Sequence, residues 1–217
     1  MSATINNFTK RYPFAGPISW MVSIQYFVIQ VVVAQAWTVN YSLAQNTISD
    51  LGNTTCAIYA GRFVCSAKHG LMNASFVILG VTMVVGSILV YQKFKESKRT
   101  LVGFSFMAIA GIGTLIIGLF PENSVSSLHA VGAALPFLIG NLGLVILGLS
   151  LRIPRSLRYY TLLSGVISLL ALVFFVTHNY LGLGQGGLER LVAYPQTIWL
   201  IVFGVYSSLN HANNKRK

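Results

Sequence analysis

Acidic side chains are nearly missing from this 217-residue chain. Asp50, Glu96, Glu122 and Glu189 are all it has, and charged residues of both signs make up 9%. Soluble domains carry roughly 25%. With 54% hydrophobic residues beside it, that scarcity excludes an ordinary water-soluble domain. Cysteine is as scarce: Cys56 and Cys65 stand alone. No linker or low-complexity stretch interrupts the chain. No apolar stretch alternates with polar residues over strand lengths, which argues against a transmembrane barrel. The nucleophile elbow G-x-S-x-G does not occur, and neither does a His-x3-His pair.

What is present is length without charge. A helix crosses a bilayer with about 20 mostly apolar residues, and six stretches qualify: 18–37, 70–92, 101–120, 128–151, 159–180 and 191–210. The expected fold is all-α, an integral membrane bundle of six transmembrane helices arranged as three hairpins in one domain, 1–217. The first stretch is too long for the apolar core of a secretory signal, so it reads as a retained span.

The formal charge of +11 does not point to nucleic acid. Lys10, Arg11, Lys93, Lys95, Lys98, Arg99, Arg152, Arg155, Arg158, Lys215, Arg216 and Lys217 all fall at the termini or in even-numbered loops. Short loops rich in Lys and Arg stay cytoplasmic, so both termini are predicted to face the cytoplasm. No basic surface interleaved with aromatics suggests a nucleic-acid partner. The expected surroundings are the lipid bilayer of a plasma membrane.

The opposite side carries Arg62, Lys68 and Arg190 against Asp50, Glu122 and Glu189. Ionisable groups next to hydrocarbon are costly and need a partner, a wet cavity or a task. Cys56 and Cys65 lie on that side with eight residues between them, in a compartment where disulfides persist. A bridge closing that loop is the plain reading. A metal site from Cys56, Cys65 and His69 is the sharper one, but no fourth ligand is local, and no metal is expected.

Helical spacing sets His69, Asn73, Phe76 and Gly80 on one stripe and His129, Gly132, Pro136, Gly140 and Gly143 on another. Small residues let membrane helices approach, so both histidines are predicted to face the bundle interior. A faint repeat at an offset of sixty aligns them and implies matching depths. Pro136 should kink its helix, and Pro195 is expected in the first turns of the last one. Asn141 is expected to hydrogen-bond between helices.

The candidate catalytic residues are His69 or His129 as base, with Asp50 and Glu122 as orienting carboxylates. Ser49, Ser66, Ser124, Ser126 and Ser127 are candidate nucleophiles. Arg190 and Glu189 could clamp an anionic head group, since guanidinium binds phosphate and carboxylate in bidentate fashion. Asn73 and Asn123 complete the candidate substrate-binding set. The plainer alternative pairs Arg190 with Asp50 or Glu122 to hold helix ends together.

Four motifs carry a resemblance. Asn46-Thr47-Ile48-Ser49-Asp50-Leu51-Gly52, Cys65 with His69-Gly70-Leu71-Met72-Asn73, Phe120-Pro121-Glu122-Asn123 with Leu128-His129-Ala130-Val131-Gly132-Ala133, and Gly187-Leu188-Glu189-Arg190 resemble those of the domain-of-unknown-function 998 family. The resemblance runs from the first span to the sixth and implies a prokaryotic six-span membrane protein. It supplies no activity, cofactor or catalytic residue. The residues themselves point to a lipid- or isoprenoid-directed hydrolase or transferase. Non-catalytic binding, transport and a structural subunit are the alternatives, and the oligomeric state and cofactors stay open.

Overall fold

A computed structural model describes residues 2–214. Six helices in it are long and apolar enough to cross a membrane. A short helix, α1 (Ser2–Arg11), precedes them. The first span is broken into α2 (Ala15–Met21) and α3 (Ile24–Gln35). A long connection follows with a 3₁₀ turn at Ser49–Gly52 and a hairpin, β1 (Ala57–Tyr59) and β2 (Arg62–Val64). The second and third spans are α4 (His69–Tyr91) and α5 (Lys98–Leu119). The fourth joins α6 (Ser126–Ala134), a π-helical turn at Leu135–Gly140 and α7 (Asn141–Ser150). The last two are α8 (Arg155–Val176) and α9 (Gly184–Asn214). Lys215, Arg216 and Lys217 lie outside the described residues.

All six spans overlap the stretches read from sequence, but the last one starts earlier. His178, Leu181, Gly182 and Gly184 have positive φ, which closes the turn after α8 and returns the chain to helix by Gly184. Glu189 and Arg190 therefore sit in the second turn of α9, not ahead of it. Pro195 is correspondingly inside the helix, not in its first turns. Pro136 produces the π-helical turn, a wider turn that absorbs the missing N–H.

Glycine sets the closest approaches. A Cβ at Gly80 of α4 would lie 2.6 Å from the Gly111 carbonyl of α5, and one at Gly111 would lie 2.8 Å from the Gly80 carbonyl. Gly132 and Gly143 face Gly113 and Gly103 of α5 in the same way. The stripe below His129 is thus buried as its spacing predicts. Asn141 donates from Nδ2 to the Phe137 carbonyl at 2.9 Å and across to the Val192 carbonyl of α9 at 3.3 Å.

The two ends of the bundle differ. Near the termini, here the basic end, Trp20, Phe104, Trp199 and Phe203 are buried together. Trp20 is 5.2 Å from Trp199 and 5.8 Å from Phe203 between ring centres. Gly86 admits the indole, because a Cβ there would lie 2.2 Å from Trp20 Cδ1. At the other end Cys56 and Cys65 form a disulfide across the base of the hairpin, next in register after the Ala57–Val64 pair. The polar residues gather at this disulfide end.

Gly80→Leu should destabilise the bundle by about 1–3 kcal/mol, the usual cost of overpacking. Thermal unfolding in detergent checks it, against Ile78→Leu on the lipid-facing side of the same helix (Ile78 is 44% exposed), which should behave as wild type.

Candidate functional site

The site is built on a polar turn pressed into the mouth of the bundle. Thr47 and Asp50 cap one another: the Thr47 N–H donates to Asp50 Oδ2 at 2.9 Å, and the Asp50 N–H donates to Thr47 Oγ1 at 3.0 Å. This reciprocal pairing three residues apart starts the 3₁₀ turn as a capping box starts a helix. Asn46 adds an Nδ2–H bond to Asp50 Oδ2 at 3.3 Å. Leu51 and Ile48 bury their side chains beneath the turn.

Arg62 reaches over from β2. Its Nε donates to Asp50 Oδ2 and its terminal nitrogen to Asp50 Oδ1, both at 2.8 Å. This bidentate pair is the one ion pair among the described residues, and Asp50 is fully buried in it. The hairpin and its disulfide thus serve to deliver a guanidinium to a carboxylate at the membrane surface.

Glu122 stands beside Asp50. Asn53 Nδ2 donates to Glu122 Oε1 at 3.4 Å, and Tyr59 Oη donates to the Glu122 carbonyl at 3.1 Å. Burial and the Asp50 charge push the Glu122 carboxyl up to about 9. Burial would raise Asp50 too, but hydrogen bonds from Arg62 and from Glu122 hold it below its ordinary value. Two adjacent carboxyls have been driven apart: Asp50 ionised, Glu122 a proton donor to it.

Ser49 leads the same turn. Its Oγ lies 3.0 Å from His129 Nε2 and 3.3 Å from Glu189 Oε1. His129 is buried, on the first turn of α6, and its Nδ1 lies 2.9 Å from the Phe120 carbonyl. A carbonyl only accepts, so Nδ1 carries the ring hydrogen in the neutral imidazole. Nε2 is then a free base facing a serine hydroxyl. Glu189 also accepts a short hydrogen bond from the Ile48 N–H, which ties α9 to the turn.

Arg190 points away from these carboxylates. One terminal nitrogen serves the carbonyls of Leu43, Asn46 and Gly186 at 2.8–2.9 Å, and the other donates to Tyr41 Oη. Neither Asp50 nor Glu122 forms an ion pair with it. Backbone dipoles hold this cation in place.

Of the residues singled out from sequence, Asp50, Glu122, His129 and Glu189 meet around the turn. Asn123 clasps the backbone N–H of Thr54 at 3.1 Å and Thr55 Oγ1 at 3.0 Å. Asn73 holds the Gly52 carbonyl at 2.9 Å. His69 stands apart from His129: it is half-buried at the start of α4, with its Nδ1 3.3 Å from the Ser66 carbonyl. His69 opens α4, whereas His129 is the fourth residue of α6. No orienting carboxylate touches either imidazole among the described residues. Tyr41 is not among the sequence candidates, Arg62 enters there only as one of three bases opposite three acids, and Ser49 is one serine among five. Cys56 and Cys65 spend their sulfurs on each other, and no group of three His, Cys, Asp or Glu among the described residues could hold a metal.

Behind Ser49 an enclosed cavity of about 40 Å³ runs toward mid-membrane past Glu189, Thr114, Gln196 and Thr197. At roughly 10–15 Å³ per water, it has room for about three.

The carboxyl pair generates a pH dependence. Between the ordinary value of 4.5 and about 9, folded Glu122 holds a proton that the unfolded chain has lost. Stability should therefore fall as pH rises through that window. Glu122→Gln, which keeps a neutral hydrogen-bonding group, should flatten the fall and melt higher than wild type at pH 8. Melting curves of both proteins from pH 5 to 9 check this, and parallel curves would refute it.

No curated protein and no solved structure matches the chain. A family model does, over residues 21–206, from within the first span to the last. That stretch contains Ser49, Asp50, Glu122, His129, Glu189 and Arg190. This six-span membrane protein belongs to the family described as protein of unknown function DUF998.

Proposed function

We propose that this protein is a membrane-embedded serine hydrolase or acyltransferase that acts on carboxylic esters of a membrane lipid. One observation carries the reading: Ser49 Oγ lies 3.0 Å from a histidine nitrogen, Nε2 of His129, that its ring partner leaves unprotonated. Nucleophile and base within hydrogen-bond reach, with the base oriented by a third group, is the general signature of covalent acyl transfer. Here a backbone carbonyl takes the orienting role that a carboxylate plays elsewhere.

In the reaction Ser49 Oγ bonds to the ester carbonyl carbon while its proton passes to His129 Nε2. The carbon–oxygen bond to the alcohol breaks, and the departing oxygen takes that proton. Water or a second alcohol then attacks the acyl-serine, giving its proton to His129, which returns it to Ser49 Oγ. The small cavity behind Ser49 is walled mostly by apolar side chains, but Glu189, Thr114, Gln196 and Thr197 border it and support a supply of ordered water for the hydrolytic branch. Glu189 positions the serine through the Ile48 N–H, and Asp50 with Arg62 fixes the turn.

The disulfide end is assigned to the extracytoplasmic face of a prokaryotic plasma membrane, since the basic residues gather at the other end. The aromatic plug at the basic end favours chemistry in a dead-end pocket over passage of a solute through the bundle.

A soluble short-chain alkyl fluorophosphonate should phosphonylate Ser49 in the detergent-solubilised protein, read as a mass shift on the Ser49 peptide. His129→Gln should slow labelling by about 10²–10⁴, the usual worth of a general base. An unlabelled wild type, or a His129→Gln variant labelled at the wild-type rate, removes the reading.

A further inference from the structure

The first span parts from the last on its way to the disulfide end. α2 packs closely on α9, where Gly204 meets the Pro17 carbonyl, whereas α3 turns toward α4: Gln25 Nε2 donates to the Ser75 carbonyl at 3.1 Å and Ser75 Oγ returns a bond to Gln25 at 2.8 Å. The break at Val22-Ser23 thus opens a lateral groove of about 390 Å³ between α3 and α9. That lies within the ordinary range for small-molecule sites. Phe27, Val31 and Ala34 form its apolar wall, and Val31 is 56% exposed on the lipid side.

Two buried donors border this groove, and the Gln30 amide nitrogen lacks an acceptor among the described residues. Gln30 is 5% exposed; its Oε1 accepts from Tyr194 Oη at 2.8 Å, and its Nε2 makes no hydrogen bond among the described residues. Arg190 is 8% exposed, and the Tyr194 side chain lies beside its guanidinium as a hydrogen-bond partner. A buried donor left unpaired is costly, so the persistence of the Gln30 amide N–H asks for an acceptor from outside the chain. Glu189, next in sequence, sends its carboxylate the other way, to Ile48 and Ser49. The groove therefore presents a positive charge and an amide N–H, with no acid facing them.

Depth and shape narrow the occupant. Arg190 follows Gly184, the first residue of α9, and Gln30 precedes Gln35, the last of α3, by five or six residues, so at 1.5 Å per residue both lie roughly 8–9 Å inside the helix ends. For helices that end at the outer edge of the headgroup layer, roughly 5–8 Å thick, that is the boundary between lipid ester groups and acyl tails. A second apolar trough, of about 420 Å³, runs along α9 past Leu191 and Ile198 and shares Arg190 and Tyr194 with the first. A cation where two apolar troughs meet matches a molecule with one anionic head and two chains.

We propose that this groove binds a diacyl phospholipid from the surrounding leaflet, its phosphate on Arg190 and Gln30 and its chains along the two troughs. The inference names the lipid class for the site proposed above and rests on that reading for its meaning in catalysis. Its test reads binding, not turnover.

Full-length protein exchanged into detergent with dioleoyl phosphatidylglycerol, or with dioleoylglycerol lacking the phosphate, is examined by native mass spectrometry. Wild type should retain the phospholipid at least tenfold better than dioleoylglycerol, and excess inorganic phosphate should not displace it. Gln30→Leu should reduce retention about tenfold, and Ala34→Trp, which fills the groove one helical turn from Gln30, should abolish it with unchanged melting temperature. Equal retention of the two lipids, displacement by inorganic phosphate, or undiminished retention in both variants would overturn the proposal. Phospholipid retention without fluorophosphonate labelling of Ser49 would leave the groove standing and remove the enzyme; labelling without retention would do the reverse.

Discussion

Asp50 and Arg62 form a bidentate ion pair at the mouth of a membrane bundle, and the disulfide end is organised around it. A fully buried carboxylate is tolerable only when its charge and lone pairs are answered, and breaking such a pair usually costs about 3–5 kcal/mol. The answer here comes from two directions. Asn46 and Thr47 supply local N–H bonds, and a disulfide-closed hairpin supplies the guanidinium. Once Asp50 is fixed, the 3₁₀ turn can occupy only one position, and Ser49 at its head meets His129. Glu122 shows the cost of this arrangement: beside an ionised neighbour, it is driven to the neutral form.

The rest of the bundle divides along its length for packing reasons. Toward the basic end, glycines admit whole indole and phenyl rings, and Trp20, Trp199, Phe104 and Phe203 fill the centre. Toward the disulfide end the broken first span and the π-helical turn at Pro136 prevent such close filling. A small cavity with a few polar groups in a mostly apolar wall and a lateral groove remain there. Irregular backbone at membrane depth is tolerated where it borders a cavity, and the π-helical turn does, with Pro136 and Phe137 in the wall behind Ser49.

Much of this was legible in the sequence. Apolar length gave six spans, and the stripe of Gly132, Pro136, Gly140 and Gly143 named the packed face of the fourth. The cysteine spacing pointed to the bridge, and Asp50, Glu122, His129 and Glu189 were all singled out. What failed was tied to pairing across long separations. Nothing local says that Arg62 answers Asp50, that Phe120 orients His129, or that Ser49 among five serines sits opposite a base. The strand hairpin does carry a local signal, a Tyr59-Ala60-Gly61-Arg62 turn between two cysteine-ended β-formers. The start of α9 was misplaced because Glu189 and Arg190 read as residues too charged to be inside a span. They are inside because the turn and the backbone carbonyls of 43–46 give them partners.

The claim on which the account rests is that the imidazole of His129 offers an unprotonated Nε2 to Ser49. Nitrogen-15 NMR of histidine-labelled protein in lipid nanodiscs reads that tautomer directly, with His129→Gln used to assign the signal. The account predicts that neutral His129 carries its hydrogen on Nδ1, with Nε2 as hydrogen-bond acceptor and a change at Nε2 alone when Ser49→Ala is made. A neutral ring protonated at Nε2, or one indifferent to Ser49→Ala, would contradict it.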